Sequence, residues 1–584
     1  MGSFDLAGAC ILSPGSVVKK PKKYFPSKSI FARINNSNPI TISIWAAGAT
    51  LVFGALVFYF IGFVKQNIMG EAFFDFQYPY LHPFSESWKI FFFDRIQSRL
   101  FHGVLVSALY YLFGFNPPAY YLTGLVLVIG TAVLITLVLR PYIKSQWMAA
   151  LLVVTFTWLP LNVPDLIALK KLHHALAWFA FWVAVYFWQK WTVGRRLVFL
   201  SVAALSFLAS ILSYEVAVAL LPVAVFISLP RLKSATEFIG NLCMAVWITL
   251  LSSLAFLNLE GLKDFSRAES VNALGGLDMG GFQQNTISLL PRLPNAIWNS
   301  GLMENIGGIH LWISKSVLVI AFVIAIAVVW QLTHKRKSGP QTIHLPLVLA
   351  GLWLTVATYL PFILVGQGPD GDSLRGAAFG VVFIILAGSN WLASYGKGVA
   401  ANIIFLSICL FWTVSGLIAY ADGIASSKQE DLLLQTVTIT LKEQVPDVSE
   451  GTDFIFVNSG LGRTGCIGFV NMLYDRSRLH CIHLLSGDTQ ESYTRTEDGL
   501  VEDDGRLWPN RFIIVTFDDQ GKVTILDQLD RDDYENLPIT WESDAPLETN
   551  RSLIYPATTG LGRNFDFFNY MKEQYFPADN RTGN

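Results

Sequence analysis

The sequence predicts an α-helical polytopic membrane protein of about eleven transmembrane helices, followed by a small α/β unit outside the membrane. Three observations carry this fold class. Of 584 residues, 53% are hydrophobic and only 15% charged, with 43 Phe and 17 Trp, so most of the chain is suited to lipid as its solvent. Apolar runs able to cross ~30 Å of hydrocarbon recur as far as residue 421. When these runs are threaded alternately, the Lys and Arg clusters fall on one side, and most acids and histidines near span ends fall on the other.

The overall charge narrows the function. A net charge of -1 lacks the basic excess that a phosphate backbone demands, which excludes nucleic acid as a partner. The five cysteines show no CxxC spacing, so no zinc or redox motif is read. Cys466 and Cys481 share the soluble region, which leaves a disulfide between them open.

Residues 1–39 form a basic leader with Lys19, Lys20, Lys22, Lys23, Lys28 and Arg33, expected in the cytoplasm of a multi-pass plasma-membrane protein. The apolar run from Ile40 to Val64 is too extended for a cleaved signal peptide and is read as a retained span. Further spans are expected at 118–139, 147–163, 172–189, 197–213, 215–229, 235–258, 313–332, 344–366, 377–393 and 399–421. Leu100 to Phe115 is short and ends in Gly114-Phe115-Asn116-Pro117-Pro118, so it is read as juxtamembrane or re-entrant. That choice keeps Arg140, Lys144, Lys190, Arg195, Arg196, Arg231, Lys233, the run His334 to Lys337, and Lys397 inside. The expected units are then a transmembrane module at 40–230 with a first outer loop at 65–117, a second transmembrane region at 231–422 with an outer loop at 259–312, and a soluble extracytoplasmic unit at 423–584.

Three outer segments carry ionisable groups at span ends, where such groups are functional candidates by default. The first holds Asp75 within Phe73 to Tyr80, followed by His82, Glu86, Asp94, Arg95, Arg99 and His102. Desolvation among aromatics raises the proton affinity of a carboxylate, which suits a general base; the alternative is a solvated Asp in an interfacial aromatic belt. The second holds Asp165, Lys170, Lys171, His173 and His174. Its cations suit a lipid phosphate, or else snorkel among headgroups. Adjacent His side chains on a helix diverge by ~100°, so no zinc site is read. The third, Gly366 to Gly376, ends in Arg375, a candidate phosphate clamp, and contains Asp370 and Asp372, which suit either a divalent cation or a solvated turn.

Beyond residue 422 the apolar runs shorten, and Gly451 to Leu485 reads as strand, Gly-rich turn, helix and strand. The turn Val457 to Gly465 echoes the phosphate loop of Cys-dependent phosphatases, but Val457 stands where the nucleophilic Cys is needed, so that mechanism is excluded.

The order of these motifs resembles the GT-C superfamily of polytopic glycosyltransferases, nearest to protein O-mannosyltransferase-like and related bacterial membrane proteins. The resemblance spans residues 40–230 and rests on an acid in the first outer loop (Asp75, with Phe93-Asp94 a second acidic position), a short helix ending Leu112 to Pro117, and the corner Ser213-Tyr214-Glu215. The chain departs from the family where Tyr214 replaces a Lys and where no Pro follows Arg99; the third outer region matches only through Pro160, Asp165 and His173.

The resemblance implies inverting transfer of a sugar from a polyprenyl-phosphate donor to an acceptor (protein, lipid or glycan) at the outer membrane face. Asp75 would be the base, with Asp94 its substitute or an acceptor-positioning acid. Lys170, Lys171 and Arg375 would stabilise the leaving phosphate, and Arg99, His102, Asp165, His173 and Glu215 are further site candidates. No cofactor is required, although a divalent cation fits. Two other classes stand beside it. One is a catalytically silent scaffold of the same fold in a larger membrane assembly; the other is a lipid or solute transporter, disfavoured because the charges gather at span ends rather than mid-membrane.

Overall fold

A computed structural model of the chain describes residues 48–50, 72–94, 99–143, 146–162, 166, 171–232, 234–261, 345–358, 360, 375–394, 398–448, 452–457, 463–476, 479–484, 495–496, 499–500, 511–517 and 523–529. The basic leader, most of the first expected span, the loop 259–312 beyond residue 261, the expected span 313–332 and the segment 366–374 lie outside the described residues.

Helices α1 (Ala72–Leu81), α2 (Phe84–Asp94) and α3 (Leu100–Phe113) form the first group. At 14 residues, α3 is only ~21 Å long, too short to cross alone. Gly114 stops it with φ +59°, a conformation that costs glycine little, and its N–H donates to the Tyr110 carbonyl at 2.7 Å. Pro117 and Pro118 then open α4 (Pro117–Val138), where a missing N–H costs nothing.

The bundle continues with α5 (Gln146–Thr157), a 3-10 turn at Pro160–Asn162, α6 (Leu172–Gly194) and α7 (Leu197–Ile211). The C-terminal ends of α4 and α6 meet, where Gln189 Nε2 donates to the Val138 carbonyl at 3.2 Å, so these two helices run parallel. A left-handed Arg195 (φ +49°) ends α6 and turns the chain into α7, which returns alongside it; Ser210 Oγ donates to the Ala177 carbonyl at 2.7 Å. A 3-10 turn at Glu215–Ala219 leads to α8 (Pro222–Ser228), α9 (Ala235–Gly261), α10 (Leu345–Ala357), α11 (Arg375–Ser394) and α12 (Gly398–Gln444). Their shared core is aromatic and fully enclosed. Phe379 of α11 meets Trp178 of α6 at 5.2 Å and Phe156 of α5 at 5.5 Å, both edge-on.

Of the eleven expected spans, the one at 40–64 lies mostly, and the one at 313–332 wholly, outside the described residues. Among the described residues four helices are long and apolar enough to cross a membrane: Pro117–Val138, Ala235–Phe256, Arg375–Ser394 and Gly398–Ala421. Several expected spans are shorter apolar helices where they are described: α5 stops at Thr157, α7 at Ile211, and the run 215–229 divides into a 3-10 turn and a seven-residue helix. Pro160 and Pro222 lie at these breaks, because a proline lacks the N–H that a continuing helix needs. Counting apolar residues treats each run as one unbroken helix, and the runs at 147–163 and 215–229 are broken.

Residue 423, the expected start of the soluble unit, falls within a helix. Helix α12 is continuous over 47 residues, ~70 Å, more than twice the hydrocarbon thickness, so residue 423 lies inside one helix. A helix satisfies its own backbone groups in water as in lipid and has no reason to stop where apolarity does.

Past α12 come β1 (Thr452–Val457), α13 (Arg463–Tyr474), β2 (His480–Leu484), the short pair β3 (Arg495–Thr496) and β4 (Gly499–Leu500), β5 (Arg511–Phe517) and β6 (Val523–Leu529). The four-stranded order is β2-β1-β5-β6, with β1 parallel to both neighbours and β6 antiparallel to β5. The strands alternate inward and outward, burying Phe454, Phe456, Ile513 and Val515. A disulfide joins Cys466 on α13 to Cys481 on β2, with Cα atoms 5.7 Å apart. Helix α13 lies against α1: Phe469 meets Phe73 at 5.6 Å, and Asn471 Nδ2 donates to Gln77 Oε1 at 2.9 Å.

Candidate functional site

Aromatic packing places Asp75. Phe73 of α1 faces α13, while Phe76 meets Phe115 at 5.8 Å and Tyr120 of α4 at 4.7 Å. The helix is thereby pinned on two sides, and the carboxylate between those rings is 1% exposed. Asp75 Oδ2 lies 2.9 Å from Nε2 of His102, in the first turn of α3, a hydrogen bond that the imidazole donates to the ionised carboxylate, with the imidazole itself 0% exposed. A charge-assisted bond of this kind is shorter and stronger than a neutral one, and between two buried side chains it fixes both rotamers.

The imidazole of His102 continues into a chain of rings. It meets His173 edge-on at 5.2 Å, His173 meets Tyr214 at 5.3 Å, and Tyr214 stacks on His174 at 4.1 Å with the planes 20° apart. His173 and His174 open α6, and Tyr214 sits in an extended stretch (φ -161°, ψ 123°) between α7 and the next turn. Their ring centroids lie 4.2 Å apart, which corrects the expectation that neighbouring helical imidazoles point away from each other. A shared partner, Tyr214, draws both rings together. Among the described residues, no group of three or more His, Cys, Asp or Glu side chains is placed to hold a metal ion.

Three cations border this stack. The Arg99 guanidinium lies 5.4 Å from the Tyr214 ring centroid, a cation–π distance. Arg375, the first residue of α11, is 1% exposed and donates to the Leu161 carbonyl from Nη2 at 2.8 Å and from Nε at 3.2 Å. Lys171 precedes α6 and, with Arg375, Arg99 and His102, lies within electrostatic reach of His174. A buried guanidinium is costly unless its hydrogens are bonded, and the 3-10 turn at Pro160–Asn162 turns the Leu161 carbonyl to meet it.

The structure therefore brings together Asp75, His102, His173, Arg99, Lys171 and Arg375 of the sequence candidates. Lys170, Asp165, Asp370 and Asp372, and the side chains of Asp94 and Glu215, lie outside the described residues. Sequence reasoning missed the roles of His174 and Tyr214. Tyr214 registered only as a departure from the family pattern, although the ring itself is the signal, since an aromatic beside an Arg and a His pair offers both a cation–π face and a stacking face.

No family model matches the chain, and no curated protein matches it. The chemistry of the site is therefore argued from its own residues. A buried carboxylate oriented by an imidazole can accept a proton, and fixed cations beside it can hold an anion. The carboxylate is buried in this conformation, so a substrate reaches it only if the segments that cover it move.

Proposed function

We propose that the chain is a membrane glycosyltransferase that moves a sugar from a polyprenyl-phosphate donor to an acceptor hydroxyl. The observation that carries this reading is the Asp75–His102 pair set beside Arg99, Lys171 and Arg375 at one end of the bundle. Asp75 takes the proton from the hydroxyl, whose oxygen attacks the anomeric carbon while the sugar–phosphate bond breaks on the opposite face, giving inversion. The cations receive the departing polyprenyl phosphate, and His102 holds the carboxylate in register. The resemblance of residues 40–230 to GT-C enzymes points the same way.

The same reading puts the site end of the bundle, and the β-sheet unit beyond α12, outside the plasma membrane, with the N-terminus in the cytoplasm. Two observations support that orientation: Arg140, Lys190, Arg196 and Arg231 gather at the opposite ends of the helices, and a disulfide in α13–β2 suits an oxidising compartment.

The 1% exposure of Asp75 favours a second reading, a silent scaffold that keeps the fold within a larger membrane assembly. Purified protein in nanodiscs, given a mixture of polyprenyl-phosphate sugars, separates the two. Under the enzyme reading the wild type transfers sugar and Asp75→Asn is slower by about 10²–10⁴-fold, the usual loss when a general base is removed. If folded wild-type protein transfers from no donor, the scaffold reading stands in its place; undiminished transfer by Asp75→Asn would move the base elsewhere.

A further inference from the structure

At the far ends of α4, α6 and α7 lies a second concave site, which the transfer reaction does not use. Because α4 and α6 run parallel for 22 and 23 residues, this end is separated from the Asp75 end by ~30 Å, about one hydrocarbon thickness. The cavity, about 590 Å³, is lined by Arg140, Lys190, Arg196 and Arg231, with Gln189 and Tyr186 among its other walls.

The four charged side chains lining it are all cations. The nearby acid Glu237 is engaged by Arg195 at 3.5 Å, and neither residue lines the cavity. Two of the cations are held by the protein. Arg231 Nη1 donates to the Gln189 carbonyl at 3.3 Å, and Lys190 Nζ lies 5.3 Å from the Tyr186 ring centroid. Four like charges around one concavity repel one another, and an anion seated among them reverses the sign of that energy. Headgroup snorkelling accounts for single basic residues at helix ends but not for a walled space that they enclose.

The surroundings identify the anion's source. Val193 (69% exposed), Leu197 (75%) and Val198 (66%) project beside the cavity, and Leu205 (66%) continues the exposed apolar face along α7. These are surfaces for acyl chains. We propose that the cavity binds the phosphate headgroup of an anionic membrane phospholipid, whose tails lie along the exposed face of α7. This site stands whether or not the chain transfers sugar.

Native mass spectrometry of the full chain in detergent tests this with three probes: short-chain phosphatidylglycerol, phosphatidylcholine of equal chain length, and inorganic phosphate. The wild type should retain phosphatidylglycerol over phosphatidylcholine, and the double variant Arg140→Gln/Lys190→Gln should bind it roughly thirtyfold more weakly, the effect of two cations near a charged headgroup. Arg195→Gln, next in sequence but outside the cavity, should bind as the wild type does. Equal retention of the two lipids overturns the proposal, as does equal loss in Arg195→Gln. Inorganic phosphate binding as tightly as phosphatidylglycerol would overturn the lipid assignment and leave a plain anion site. Unaltered thermal unfolding of the double variant confirms that its loss is one of binding.

Discussion

His82 closes the loop between α1 and α2, 6% exposed, with its carbonyl accepting a hydrogen bond from Tyr111 Oη at 3.1 Å. Burial holds its pKa down to about 4, against 6.5 when unfolded. Between those values the unfolded chain binds more protons than the folded one. The stability is therefore fully present above pH 6.5 and is lost as pH falls toward 4. The expected loss between pH 7.5 and 4.5 is at most about 3 kcal/mol, and thermal melts of His82→Phe across that range should show a shallower decline than the wild type. Parallel declines would mean that His82 is not the titrating group. A second residue tests the ring stack: Tyr214→Leu removes the face shared by Arg99 and His174 and should lower stability by about 1–2 kcal/mol, read by chemical unfolding in detergent. Both positions show how far the site was legible in the sequence. An acid among aromatics marked Asp75, and a His in a short helix marked His102, but 27 residues separate them and no local pattern states that they pair. Burial of Arg375 was equally hidden, because its partner is a backbone carbonyl 214 residues away.

Helices α10 and α11 approach each other through Gly351 and Gly380, whose backbones are in contact; a Cβ on Gly351 would stand 2.6 Å from the Gly380 carbonyl oxygen. In lipid, helix association depends on close packing of this kind rather than on the hydrophobic effect. Gly380→Val should force the pair apart and lower stability by about 1–3 kcal/mol, the usual range for overpacking, while Gly398→Val, where nothing stands within 4 Å, should be near neutral in the same melts. The disulfide between α13 and β2 closes a loop of 15 residues, worth about 3 kcal/mol, and Cys466→Ser/Cys481→Ser should lose that amount unless a reductant has already removed it from the wild type. At this scale the sequence is legible where a helix is continuous and apolar: α4 and α11 match the expected runs within two residues, because the prolines of α4 stand at its start and α11 holds none. It is illegible where a proline or a polar turn divides an apolar run, as at 160 and 222, since hydropathy sums over a break that the backbone cannot ignore.

The largest consequence of the architecture is that the carboxylate and the C-terminal sheet share one helix. Helix α1 presents Asp75 to His102 on one side and Phe73 and Gln77 to α13 on another. Asn471 is the hinge of that second contact. Its Nδ2 donates to Gln77 while its Oδ1 accepts from the Leu479 N–H at 3.0 Å, all of it buried. Replacing it with Ala leaves a buried N–H without its acceptor, at a cost of about 1–3 kcal/mol, and loosens the face on which α1 rests. The exposed bond from Tyr80 Oη to Asp475 at 2.5 Å lies at the same contact but exchanges with water, so Tyr80→Phe should cost under about 1 kcal/mol. Hydrogen exchange on the full chain distinguishes a structural tether from a coupled one. In Asn471→Ala the amides of α1 should exchange faster together with those of α13 and β2, while α6 and α11 keep their wild-type protection. Faster exchange confined to the sheet would show that α1 is held by Phe76, Phe115 and Tyr120 alone. Loosening of α1 would mean that the part of the chain beyond α12 sets how readily Asp75 is uncovered.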